Sequence, residues 1–129
     1  MVDWKREIEN LEGWTFGDSA EMADELAKKT AQGENLANCF LWSKDGPMPK
    51  VGDRSYVKSS KGHPVCVIEV KEIHTLPFGE VNEAFAKAEG YETLEEWRAV
   101  HREFFGRRHA LFNDDCVVVC QFFELIHVF

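Results

Sequence analysis

Glu89, in the last helical turn before Gly90, has the clearest chemical potential of any side chain here. There it faces the negative end of a helix dipole, which favours the protonated acid and suits the group to proton transfer. The plainer alternative is a solvated glutamate at a helix end. Arg98 and His101 lie on or beside the apolar stripe of the following helix. They line the same cavity if that helix packs beside the sheet, and otherwise serve helix packing alone.

Other chemistries lose support on spacing. Cys116 and Cys120 sit four apart in a segment that reads as a strand, hence roughly 13 Å apart and beyond one tetrahedral zinc. His63, His74, His101, His109 and His127 form no close helical pair, and neither a nucleophile elbow nor a phosphate-cradling glycine loop is present. No metal and no cofactor is expected. The cysteines Cys39, Cys66, Cys116 and Cys120 lie in apolar runs, as reduced core residues do.

The net charge of −8 excludes a generic basic coat for nucleic acid, and DNA is not an expected partner. The average conceals a basic middle third. Residues 44–78 carry six bases against four acids, while 1–43 carry nine acids against four bases and 79–129 ten against five. Lys44, Lys50 and Arg54, followed by Lys58 and Lys61, form a strip able to meet an RNA phosphate backbone, although solvated strand and loop lysines are the simpler explanation. Trp42 and Tyr56 interleave with it, as stacking aromatics do in single-strand binders. Trp42 ends an apolar strand, which points instead to burial.

The elements that must position these groups follow from periodicity. Trp4, Ile8 and Leu11 at helical spacing, then Gly13, predict a short helix lending Trp4 to the core. Asp18 as cap with Glu21 three residues on opens a second helix, with Met22 and Leu26 on its buried stripe, ending at Gly33. Strands follow at Leu36–Trp42, Arg54–Ser59 and from Val65 to Ile73. They are separated by the turn Lys44-Asp45-Gly46-Pro47 and the hairpin signal Lys61-Gly62. Glu69, Lys71 and Ile73 are expected on the face shared with Val65 and Val67. After Pro77-Phe78-Gly79 come helices from Val81 to Glu89 and from Thr93, boxed with Glu96, to Gly106. Cys116 to Phe129, apolar on both alternating sets, supplies closing strands. With no repeat, linker, signal peptide or membrane span, the reading is one cytoplasmic α+β domain over 1–129.

Several blocks in order resemble an ASCH domain of the PUA-like superfamily. They are Phe16-Gly17-Asp18-Ser19 through Leu26 to Gly33, Val51-Gly52-Asp53, Gly62-x-Pro64-Val65-Cys66-Val67-Ile68-Glu69, Pro77-Phe78-x-Glu80-Val81, Ala88-Glu89-Gly90, Trp97-Arg98-x-x-His101-x-x-Phe104-Phe105 and Val119-Cys120-x-x-Phe123. The resemblance implies a PUA-like mixed β-barrel flanked by helices. It also implies a cleft used by some relatives for RNA binding or ribonuclease-like activity and by others to remove an acyl group from acetylated cytidine. The hydrolase motif Gly-x-Lys-x-x-Thr maps onto Gly33-Glu34-Asn35-Leu36-Ala37-Asn38, so asparagines replace lysine and threonine while Glu89 is retained. A register through Lys28-Lys29-Thr30-Ala31 would bury the site inside the second helix and is rejected. Asparagine supplies neither a base nor a hydroxyl nucleophile. It does pair well with a nucleobase edge, or else satisfies turn backbone after the helix.

The resulting expectation is a cleft between Gly33–Asn38 and Glu89, with Arg98 and His101 nearby, that takes RNA, a nucleotide or a nucleoside without a membrane partner. The alternatives are a hydrolase using Glu89 as general acid or base, and an interaction module with a vestigial cleft.

Overall fold

The structure, a computed structural model, describes every residue except Asp18 and Pro47. Helix α1 (Trp4–Glu7) runs into a 3₁₀ turn at Ile8–Asn10, and strand β1 follows at Glu12–Trp14. Helix α2 spans Ala20–Ala31. Strands β2 (Ala37–Leu41), β3 (Arg54–Lys58) and β4 (Pro64–Pro77) come next, then a 3₁₀ turn at Phe78–Glu80, helices α3 (Glu83–Ala88) and α4 (Leu94–Arg108), and strand β5 (Val117–Val128). The strands make one sheet in the order β1-β3-β4-β5-β2. β1 runs parallel to β3 and the other pairs are antiparallel.

The sheet curls into a half-barrel whose edges, β1 and β2, are not paired with one another. Bulges account for part of the curl, since an extra residue bends its strand and increases local twist. Between β4 and β5, Val67 pairs with His127 but Ile68 with Leu125, and Val70 pairs with Phe123 but Glu72 with Phe122. Ile126 and Lys71 are therefore the extra residues. Lys71 also inverts the alternation: Cys66, Ile68 and Val70 share a cluster with Ile73, whereas Leu76 joins the opposite one. The expected sharing of a face by Ile73 and Val67 is corrected by that single inserted residue: past Lys71, Ile73 returns to the side of Val70, where Val65 at the start of the strand also packs.

Two apolar clusters result, one on each side of the sheet. Inside the curl, Val57, Cys66, Ile68, Val70 and Phe123 pack with Phe16 and with Ala27 of α2. Outside it, Ala37, Val118 and Cys120 pack against Phe78, Val81, Phe85, Ala86, Trp97 and Phe105 from the α3–α4 side. β5 serves both clusters because successive side chains point to opposite faces, whereas β2 gives Ala37, Cys39 and Leu41 to the outer one alone.

Local chemistry sets the helix ends. Ser19 caps α2 by accepting from the Met22 N–H, Asn82 caps α3 through Phe85 N–H, and Thr93 caps α4 through Glu96 N–H. The expected cap, Asp18, lies outside the described residues, as does Pro47 of the expected turn. α2 and α3 end alike, each with a left-handed glycine, Gly33 (φ 78°) and Gly90 (φ 91°). The next N–H reaches back across the turn, from Glu34 to Lys29 O and from Tyr91 to Ala86 O. The two turns abut, with Leu36 N–H donating to Ala88 O at 3.0 Å.

Four expectations are corrected here. The N-terminal helix is a single turn with Trp4 half-buried and stacked on His127 rather than in the core. β1, absent from the sequence reading, follows it. α4 continues through Gly106 to Arg108, because one glycine costs only about 1 kcal/mol in a helix interior. One long strand, not several, closes the chain.

Candidate functional site

Glu89 is the C-cap of α3 and only 9% exposed. Its Oε2 accepts the Trp97 indole N–H at 2.9 Å and lies 3.0 Å from His101 Nε2. The other imidazole nitrogen, Nδ1, is 2.8 Å from Trp97 O. A carbonyl can only accept, so Nδ1 carries a hydrogen. A proton therefore lies between Nε2 and Oε2, as imidazolium and carboxylate or as imidazole and acid. Stacking holds the ring in place: His101 lies on Trp97 with centroids 4.2 Å apart, and Trp97, fully buried, stacks on Phe78.

The groups around this pair are protonated. Burial and the Glu89 carboxylate push the Tyr91 phenol up to about 12. The Cys39 thiol is held well above its usual range by its hydrogen bond with Cys120, by burial and by the charges of Cys120 and Glu89. A thiol kept protonated is a poor nucleophile. The pair can hold and pass a proton, but the nearest thiol is ill suited to attack a substrate.

A second polar concavity opens on the other side of β2, in the gap between the edges of the half-barrel. It measures about 450 Å³. Trp14 and Phe123 form an aromatic wall, and Asn38, Gln121, Arg54 and Ser55 supply polar groups. Gln121 Nε2–H donates to Asn38 Oδ1 at 3.3 Å across paired strands, and the other half of each amide has no hydrogen bond among the described residues. Trp14 Nε1–H donates to Ser55 Oγ at 2.9 Å, which fixes the indole plane. Arg54, exposed, donates from Nε to Glu69 Oε1 at 2.9 Å. Glu12 and Asp53 also line the gap, and Asp53 Oδ2 accepts the backbone N–H of Lys50.

The expected cleft thus divides in two. The Gly33–Leu36 loop does meet the end of α3, but the Asn35 amide is 3% exposed and donates to Thr30 Oγ1 at 3.3 Å. Asn38 sits across β2 from Glu89, since Ala37, Cys39 and Leu41 face the α3–α4 cluster and Asn38 and Phe40 face the gap. His101 joins Glu89. Arg98 does not: its Nη2 donates to Gly79 O at 2.6 Å and Val81 O at 3.1 Å, tying α4 to the turn before α3. Gly33 is exposed and ends α2. Lys44 and Lys50 are exposed, Lys50 next to Pro49 at the rim of the gap. Trp42, expected to be buried, is 48% exposed.

Sequence reasoning missed Trp14 and Gln121. Alternation along β2 already separates Asn38 from Cys39, but only strand register reveals that Gln121 faces Asn38. Among the described residues no group of three or more His, Cys, Asp or Glu side chains could hold a metal ion, and no helix is long and apolar enough to cross a membrane.

A curled half-barrel with helices packed outside it and a polar gap at its open edges is a PUA-like architecture. The chain belongs to the ASCH domain family, whose model matches residues 12–127. It is similar to an ASCH domain from Lactobacillus crispatus, at 29% identity and a TM-score of 0.85, covering 98% of this chain and 87% of that one. It is also similar to a protein of Enterococcus faecalis, at 27% identity and a TM-score of 0.84, covering 98% and 91%. An ASCH protein from Zymomonas mobilis, at 10% identity and a TM-score of 0.54 over 92% of this chain and 71% of that one, shares the fold alone. No curated protein matches the chain.

Proposed function

We propose that this ASCH domain binds single-stranded RNA, placing one base in the gap between β1 and β2. The observation that carries this reading is the amide pair of Asn38 and Gln121, with unspent hydrogen-bonding capacity, lining one gap with the Trp14 and Phe123 rings. A base offers a π-face for the aromatic wall and an edge for the amides. Arg54 and Lys50 at the rim would take the adjoining phosphates. The acids Glu12 and Asp53 beside them keep the affinity modest and favour a short segment over a long backbone track.

The hydrolase reading is weaker. Glu89 is retained, but both groups bonded to its Oε2 belong to the protein, and the lysine and threonine of the hydrolase motif are replaced by a buried amide and by one on the far face of β2. In this chain Glu89 and His101 fasten α3 to α4.

A labelled RNA oligonucleotide at low salt tests the proposal. Binding is expected, and Lys50→Ala and Arg54→Ala should each lower the slope of log affinity against log salt by about one. Asn38→Ala should weaken binding by about 5- to 150-fold, corresponding to about 1–3 kcal/mol for a base contact. Absence of retention at low salt, or affinity untouched by all three substitutions, overturns the assignment.

A further inference from the structure

Cys39 and Cys120 are cross-strand partners of β2 and β5, and their sulfur atoms lie 3.9 Å apart although 81 positions separate them in the chain. The hydrogen bonds flanking the ladder define the kind of pair they form. Phe123 N–H donates to Leu36 O and Trp42 N–H to Val117 O, so the even-numbered positions 36 to 42 are the hydrogen-bonded sites and Cys39 is at a non-hydrogen-bonded one. There the facing Cα atoms approach to about 4.5 Å, inside the span a disulfide tolerates. Side-chain rotation alone brings the sulfurs together.

Access is provided on the same side. Cys120 lines a surface cavity of about 520 Å³ with His74, Phe85 and Phe122, and His74 is its partner on β4. Cys66 and Cys116 have no such facing thiol.

We infer that Cys39 and Cys120 are an oxidant-sensitive dithiol that closes to a disulfide tying edge strand β2 to β5. The oxidant is a peroxide small enough to enter the cavity. The Cys120 sulfur attacks one peroxide oxygen, breaking the O–O bond and forming a sulfenic acid with release of water. The Cys39 sulfur then displaces the sulfenic oxygen, which leaves as a second water with the Cys39 proton. Two thiols lose two electrons and two protons, and one hydrogen peroxide becomes two waters. The two sulfurs, 3.9 Å apart across the strand pair, already face each other. Burial, and a Cys39 thiol that holds its proton and must release it as it attacks, keep the reaction slow, so brief exposure leaves the dithiol intact.

The test is treatment of the folded full chain with hydrogen peroxide, followed by denaturation, alkylation and peptide mapping. Alkylatable thiols should fall from four to two, with one linked pair of peptides containing Cys39 and Cys120, and dithiothreitol should restore all four. A Cys116→Ser variant should still form the link, and Cys120→Ser should lose it while keeping its far-ultraviolet circular dichroism. Four thiols persisting under prolonged peroxide, a link through Cys116 or Cys66, or over-oxidation of Cys120 with no link would each overturn the inference. So would a link that forms only after the chain has unfolded.

Discussion

The two faces of β2 carry polar groups under opposite conditions. On the helix side, Glu89 sits among Trp97, His101, Tyr91 and Cys39, and its Oε2 already has two partners. On the open side, Asn38 and Gln121 spend one hydrogen bond on each other and keep the rest for whatever enters. The difference separates structural polarity from binding polarity. A buried polar group left unmatched is costly, so a buried set is satisfied internally, whereas a group in an open gap can wait for a ligand because water fills its place.

The comparison breaks if the helix side tolerates loss. Trp97→Ala should cost about 3–5 kcal/mol in denaturant unfolding, by the cavity it leaves under Phe78 and Phe85. Glu89→Ala should cost about 3 kcal/mol, by stranding the Trp97 and His101 nitrogens. Glu89→Gln should recover only part of that, because both partners meet the single atom Oε2, and an amide oxygen there accepts the indole N–H but leaves the Nε2 of a neutral imidazole unpaired. A general acid would not be rescued this way, so any RNA cleavage or acyl-cytidine turnover that vanishes in Glu89→Gln would return the glutamate to catalysis.

High pH sharpens the contrast. Tyr91 is protonated more tightly in the folded chain, with a value raised from 10.0 to about 12. Its contribution to stability is therefore whole below pH 10 and falls as pH rises toward 12, where the unfolded chain has already released the proton. Tyr91→Phe should flatten that decline in a pH series of unfolding midpoints. Cys66, inside the curl, is raised by burial from 9.0 to about 11, so its decline comes one unit lower and should survive in Tyr91→Phe. The smallest effect belongs to the open gap: Asn38→Ala and Gln121→Ala should each shift unfolding by less than about 0.5 kcal/mol while RNA affinity falls.

Much of the architecture was legible locally. Thr93, Gly33 and Gly90 marked helix ends because caps and left-handed turns depend on one residue type and its immediate neighbours. β1 was not legible, since three residues beside a longer helical pattern carry little periodicity and take their conformation from pairing with β3. The extended face of β4 was misread past Val70 because a bulge is a property of two strands together. At the site, the structure brings His101 to Glu89, the contact that the sequence left conditional on how the helix packs. Asn35, Asn38 and Arg98 were grouped with them by order in the chain, and the pleat and the loop sent them elsewhere.

Residue types and their spacing were enough by themselves to determine the α+β class and the helix boundaries within a few residues, and ordered blocks of residues carried the resemblance to the family. All of these rest on interactions between near neighbours or on patterns that survive translation along the chain. Only the tertiary structure decided which face of β2 meets the glutamate, that Gln121 completes the Asn38 pair and that two cysteines 81 positions apart touch. Those facts depend on strand register, and register is chosen by the burial of both clusters at once rather than by any stretch of sequence alone.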